Sequence, residues 1–261
     1  MIKRTSIQLI VATVLTFIFP LQTNAQDIKG GTVKYEQMNF IDFDYTPTGN
    51  TERDNWFANL PKGRKVGKVL YFNDRYSLYQ KDDNSSVQPL EGRQGMMMDR
   101  LSMGSAPKSV LQTSWMDTKK GTRADVYELM TRLFRVEEKL ENPAWKPGKE
   151  QRSILGYVCQ DASRKDGDKT ITVWFTPEIP VSYGPGQYYG LPGLILAVEL
   201  DGKNAMLALE INLDQPENKI TKPTDGKKTS QKDFDELLKL KVKEWEEERA
   251  KRSAARGNKR N

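Results

Sequence analysis

Between Trp174 and Leu196 the chain reads Trp-Phe-Thr-Pro-Glu-Ile-Pro, then Gly184-Pro185-Gly186, then Gly190-Leu191-Pro192-Gly193-Leu194-Ile195-Leu196. A continuous helix cannot run through this stretch. Each proline lacks an amide hydrogen and fixes its own φ, and each glycine loses unusual backbone freedom on ordering. The backbone course is therefore dictated residue by residue. Leu191-Pro192-Gly193-Leu194 predicts a type II turn, with proline presetting φ at the second position and glycine supplying a positive φ at the third. Leu194 to Val198 then shows no polar alternation, which predicts a strand buried on both faces.

The rest of the body has the rhythm of strands and hairpins. Val33, Tyr35, Met38 and Phe40 recur at close to every second residue, and Val69–Phe72 and Tyr76–Tyr79 flank Asn73-Asp74, which is suitable turn chemistry. Ile154 to Cys159 and Thr170 to Phe175 predict a hairpin whose polar connection contains Asp166-Gly167. Leu194–Leu200 and Ala205–Leu213 predict another around Asp201-Gly202. Residues 124 to 140 suit a helix or a strand pair, and the strand neighbours on both sides favour strands. Regular strand–helix alternation is missing, which argues against doubly wound and TIM-barrel folds. The predicted fold is mostly β: one antiparallel, curved sheet or partly open barrel built of hairpins, with a C-terminal amphipathic helix.

Both ends differ from this body. Lys3 and Arg4, an apolar run from Leu9 to Phe19, and Thr23-Asn24-Ala25 predict a signal peptide over residues 1–25, cleaved after Ala25. The run is short of the ~20 residues that span a bilayer. A β domain is expected over residues 26–226. Ser230 is suited to cap a helix from about Gln231 to Arg249, in a segment spanning residues 227–249, with the Phe234 and Trp245 side docking on the body. Residues 250–261 carry five Lys or Arg and no acid, which predicts a basic disordered tail.

Charge and histidine content exclude several functions. Twelve basic and seven acidic side chains fall between Lys227 and Asn261, so most of the net charge of +6 sits there and the body is close to neutral. That disfavours nucleic-acid binding by the body. The basic end is a candidate only for weak contact with an anionic surface. With no histidine in the chain, a Ser-His-Asp or Cys-His arrangement within it is excluded. The single cysteine, Cys159, has no internal disulfide partner and reads as a small buried apolar side chain.

Three constellations carry side chains suited to chemistry. Asp42-Phe43-Asp44-Tyr45-Thr46 matches the Asp-x-Asp-x-Thr string of haloacid-dehalogenase phosphatases, where the first aspartate is the nucleophile and the pair holds magnesium. Pro47 and the missing parallel-sheet context argue against it, so a carboxylate- or metal-dependent hydrolase centred on Asp42 and Asp44 stands as the alternative reading. The same string fails as a calcium loop, with Pro47 where glycine belongs and Arg53 where glutamate belongs. Met96, Met97, Met98 and Met103 offer soft thioethers suited to Cu(I), although methionines packed from a flexible loop onto the body are far more usual. No metal site or cofactor is assigned. Trp174, Tyr183, Tyr188 and Tyr189, beside the proline–glycine frame, are the candidate ligand-binding groove.

The chain resembles the GLPGLI family, through Gly190, Leu191, Pro192, Gly193, Leu194 and Ile195. Upstream, Ile154–Tyr157, Cys159, Trp174-Phe175-Thr176, Glu178-Ile179-Pro180 and Gly184-Pro185 fall in the family's order. The resemblance implies export and a place in the periplasm or at the cell surface of a Gram-negative bacterium. It implies no reaction, ligand or catalytic residue. The expected role is therefore non-catalytic, binding a ligand or protein partner of the envelope.

Overall fold

A computed structural model describes residues 28–41, 45–103, 105–214 and 220–257. The signal-peptide reading of residues 1–25 and the carboxylates Asp42 and Asp44 lie outside the described residues. The strands are β1 (Gly30–Phe40), β2 (Gly63–Asn73), β3 (Tyr76–Lys81), β4 (Val110–Asp117), β5 (Thr122–Leu129), β6 (Arg132–Lys139), β7 (Lys146–Ile154), β8 (Tyr157–Asp166), β9 (Lys169–Thr176), β10 (Leu194–Leu200), β11 (Lys203–Asn212) and β12 (Lys227–Thr229). The helices are α1 (Thr51–Ala58), α2 (Gly92–Met103) and α3 (Gln231–Gly257).

All twelve strands form one sheet in the order β12-β6-β5-β4-β3-β2-β1-β11-β10-β9-β8-β7. Neighbours are antiparallel except β12, which pairs parallel with β6. The sheet is not closed into a barrel. It is nevertheless strongly curled, because a short connection joins its two flanks. Through the sheet β6 and β7 are ten strand positions apart, about 48 Å in a flat sheet at ~4.8 Å per strand. The chain between them is only residues 140–145, which reach about 25 Å when fully extended. The two flanks must therefore face each other.

Tight turns set the hairpins. Asp201 and Gly202 both take positive φ, 50° and 74°, as a two-residue hairpin turn requires. The β8–β9 hairpin corrects the expected strand limits. Ile154 closes β7, Leu155 and Gly156 (φ 53° and 87°) make a turn, and β8 runs on to Asp166, leaving only Gly167 and Asp168 before β9. Residues 122–139 are the strand pair β5–β6.

The core lies along the middle of the sheet. Val33, Leu70 and Tyr79 are successive cross-strand partners on one face, and all are buried. Leu194 to Val198 are each 0 % exposed, so β10 is covered on both faces. The Tyr35 hydroxyl donates to the Ile195 carbonyl at 2.7 Å, tying β1 to the proline–glycine segment.

That segment departs from the expected type II turn. Gly193 is not among the positive-φ residues, whereas Gly190 is, at 90°. Gly193 is there for space: a Cβ on it would lie 2.2 Å from the Thr176 carbonyl oxygen. The prolyl-glycine pair thus serves a close approach of backbones, which a torsional rule does not anticipate.

The helices were only partly foreseen. α1 shows no apolar stripe, and α2 shows a short one of Met97, Met98 and Leu101. Of α1 no residue is buried. In α2 the methionines splay apart: Met98 is buried while Met96 is 69 % exposed. Ser230 caps α3 by accepting from the Asp233 amide at 3.1 Å. Phe234 stacks on Tyr127 with centroids 4.9 Å apart, and Leu237 and Leu238 join the same cluster. Trp245 is outside that cluster and carries the Arg249 guanidinium 5.2 Å above its ring. The helix also continues past Arg249 to Gly257, where disorder was expected, because Ala250, Ala254 and Ala255 favour helix and Glu248 pairs with Lys251 and Arg252. Residues 258–261 lie outside the described residues. None of the described helices is long and apolar enough to cross a membrane.

Candidate functional site: the cleft at the open seam

Where the two flanks of the curled sheet face each other, they leave a cleft of about 910 Å³. Arg123, Tyr127 and Glu138 line it from β5 and β6, Arg164 from β8, and Tyr189 from the proline–glycine segment. Phe234 at the start of α3 and the 141–146 stretch close its ends.

The wall on the β8 side is laced together. The Trp145 indole Nε1–H donates to the Tyr189 carbonyl at 2.8 Å. In return the Tyr189 hydroxyl donates to the Glu141 carbonyl at 2.8 Å. Gly190 makes this possible, because a Cβ at its positive φ would lie 2.7 Å from Pro143 Cδ. The Arg164 guanidinium sits 4.8 Å above the Trp145 ring and 6.0 Å from that of Tyr188.

The opposite wall is a charged network. Arg123 bridges Glu138 at 3.0 Å and Asp125 at 3.6 Å. Gln187 donates to Asp125 at 3.1 Å and also contacts the Tyr127 hydroxyl. Asp125 is fully buried. Burial pushes its carboxyl above the usual range, and the Arg123 charge offsets only part of that. Gln187 thereby fastens the proline–glycine segment to β5.

The four predicted groove aromatics do not share one surface. Tyr189 lines the cleft, and Tyr188 stands behind its wall in the cluster around Phe175 and Ile195. Trp174 and Tyr183 are core residues, 6 % and 3 % exposed. The Trp174 indole donates to Glu199 at 3.2 Å beneath the Arg152 guanidinium. Burial pushes the Tyr183 hydroxyl up to about 12.

The family-motif residues are mostly structural. Cys159 is buried and burial raises its thiol to about 11, so it is not poised as a thiolate. Gly184 abuts Ile195 and the Tyr188 carbonyl, leaving no room for a Cβ. Pro185, Leu191, Leu194 and Ile195 are buried, while Pro180 and Pro192 face solvent. Arg123, Trp145, Arg164 and Gln187 were missed by sequence reasoning. The one local signal was Trp145, a lone aromatic in a polar stretch between Pro143 and Pro147.

A family model described as a protein of unknown function (Porph_ging) matches residues 161–197, the stretch from β8 to β10. No curated protein matches the chain. Two solved structures, described as PNGF-II in the P21 and C2 space groups, are similar over 80 % of this chain at 14 % and 15 % identity, with TM-scores of 0.49 and 0.45. This chain spans about a third of their length, 33 % and 32 %. Over residues 161–197, then, the chain is similar to a family described as of unknown function.

Proposed function

We propose that this chain is an exported, non-catalytic protein of the Gram-negative cell envelope, in the periplasm or at the cell surface, that binds its ligand in the seam cleft. The cleft carries this reading. Its volume of about 910 Å³ lies in the range of small-molecule sites, ~300–1,000 Å³. Its walls are fixed before any ligand arrives, by the Trp145–Tyr189–Glu141 hydrogen bonds on one side and the Arg123–Glu138–Asp125 network on the other. Preorganised walls lower the ordering cost of binding. The string from Gly190 to Ile195 supports the finer assignment to the GLPGLI family and, with it, export.

Native mass spectrometry tests the reading, after incubation with the small-molecule fraction of a Gram-negative periplasmic extract. Wild type should retain a stoichiometric adduct. Ala144→Trp, at an exposed position on the cleft rim, should lose it. Trp174→Phe, a change in the core, should keep it. An adduct that survives Ala144→Trp would place binding elsewhere.

A further inference from the structure

We infer that the cleft receives an oxyanion, a carboxylate or phosphate group of its ligand, and that Arg164 is the residue that recognises it. This rests on the reading of the cleft as the binding site. This chain pairs nearly all of its arginines that are withdrawn from solvent. Arg64, Arg75, Arg123, Arg135, Arg152 and Arg164 are the half-buried arginines among the described residues. Five have an acid in contact: Asp99, Asp117, Glu138, Glu137 and Glu199 in that order. What sets Arg164 apart is that it has no carboxylate within ion-pair distance among the described residues; its buried Nε, like those of Arg64 and Arg152, has no hydrogen-bond partner. Leaving a guanidinium partly desolvated and unpaired is costly unless a partner is supplied.

Geometry says what that partner is. Trp145 and Tyr188 interact with the guanidinium through their rings, which satisfies its charge in part but none of its N–H groups. The in-plane donors remain, and their fork matches the two oxygens of a carboxylate or phosphate. Arg164 lines the cleft with Lys139 and Lys146 nearby. Arg123 and Lys165 bring the basic side chains of the lining to five, against three acids, Glu138, Glu141 and Asp235. The mouth is therefore net cationic, as an anion site needs. Trp145 holds Arg164 and is itself held by the Tyr189 carbonyl, so the donor is fixed in place rather than free to swing.

Inorganic phosphate and succinate are the probes, titrated into the full chain by NMR. The readout is the Trp145 indole N–H resonance, assigned by its loss in Trp145→Phe. Wild type should show a saturable, salt-sensitive shift with at least one of the two, and which one responds separates a phosphate from a carboxylate ligand. Arg164→Gln should weaken binding by about tenfold or more, and Arg164→Lys, which keeps charge without the fork, by less. Melting temperatures report whether each variant remains folded. If neither anion saturates, or if folded Arg164→Gln and Arg164→Lys both bind as wild type does, the assignment to Arg164 is overturned. Loss of anion binding in Ala144→Trp alone would leave the cleft standing as a site with a different anchor. Anion binding that is unaffected by Ala144→Trp would overturn the cleft reading itself.

Discussion

Gly193 and Thr176 touch through their backbones: a Cβ on Gly193 would stand 2.2 Å from the Thr176 carbonyl oxygen and 2.6 Å from its carbon. Neither of those atoms can rotate away, because β9 and β10 pair at Thr176 and Leu194. The contact fixes where the proline–glycine segment re-enters the sheet. Gly193→Ala should lower stability by about 1–3 kcal/mol or more through overpacking. Gly202→Ala is the contrast. Its φ is 74° with nothing within 4 Å of a new Cβ, so only the torsional cost of ~1–2 kcal/mol applies. Denaturant melts of the two variants should rank Gly193→Ala as the more damaging.

Lys68 makes stability rise with alkalinity. Only 4 % of it is exposed, its ammonium donates to the Leu111 carbonyl at 3.3 Å, and Lys81 is its cross-strand partner. Burial, helped by Lys81, lowers its pKa from 10.5 to about 8. At Lys68 the folded state thus holds fewer protons than the unfolded state between those values, so this contribution to stability grows with pH across the window, opposed above about pH 9 by the Cys159 thiol that burial raises to about 11. Lys68→Met should remove this slope in urea melts at successive pH values and raise stability at neutral pH by up to ~3 kcal/mol. A slope that persists in the variant would assign it to other groups.

Asp117 contributes on the acid side, as does Glu137, whose carboxyl Lys222 and Lys228 also hold down at about 2. Arg75 grips Asp117 with two hydrogen bonds, 3.0 and 2.9 Å, and the Lys120 amide adds a third at 3.0 Å. Arg75 foremost holds the carboxyl down at about 2, against an ordinary 3.8. Because the folded pKa is depressed, the contribution is complete above about pH 4 and disappears as pH falls through 2. Asp117→Asn should be less stable than wild type at neutral pH and should flatten the acid limb of the stability curve.

Phe234 anchors α3. It is 2 % exposed, between Tyr127 and Phe134. Phe234→Ala should cost about 3–4 kcal/mol and release the helix from β6. Far-UV circular dichroism should then lose helical signal in a separate, earlier transition. Retention of a single cooperative melt would mean that Leu237 and Leu238 suffice.

The legible parts of this fold are those in which neighbours decide. Asp201-Gly202 and Ser230 announced a hairpin and a cap because each works within a few residues. The Leu194–Val198 run announced a doubly covered strand through composition alone. α1 escaped notice because a helix that buries nothing leaves no apolar period to read. Pro192-Gly193 misled because sequence rules treat glycine as a torsional residue, whereas here it yields space to Thr176. Of the cleft only Tyr189 was legible. Arg123, Trp145, Arg164 and Tyr189 come from separate elements, and only the curl of the sheet gathers them.

Strand β1 has a consequence for how this sheet is assembled. β2 to β6 and β7 to β11 are each runs in which every strand pairs with its sequence neighbour. β1 joins the two runs by pairing with β2 on one side and β11 on the other, as at Val33 opposite Leu70 and Ile211. Each run can zip locally at small loop-closure cost, but the β1–β11 contact must close most of the chain into a loop. Folding speed should therefore be set at that one seam, and changes along β1 should slow folding more than equal destabilisation within either run.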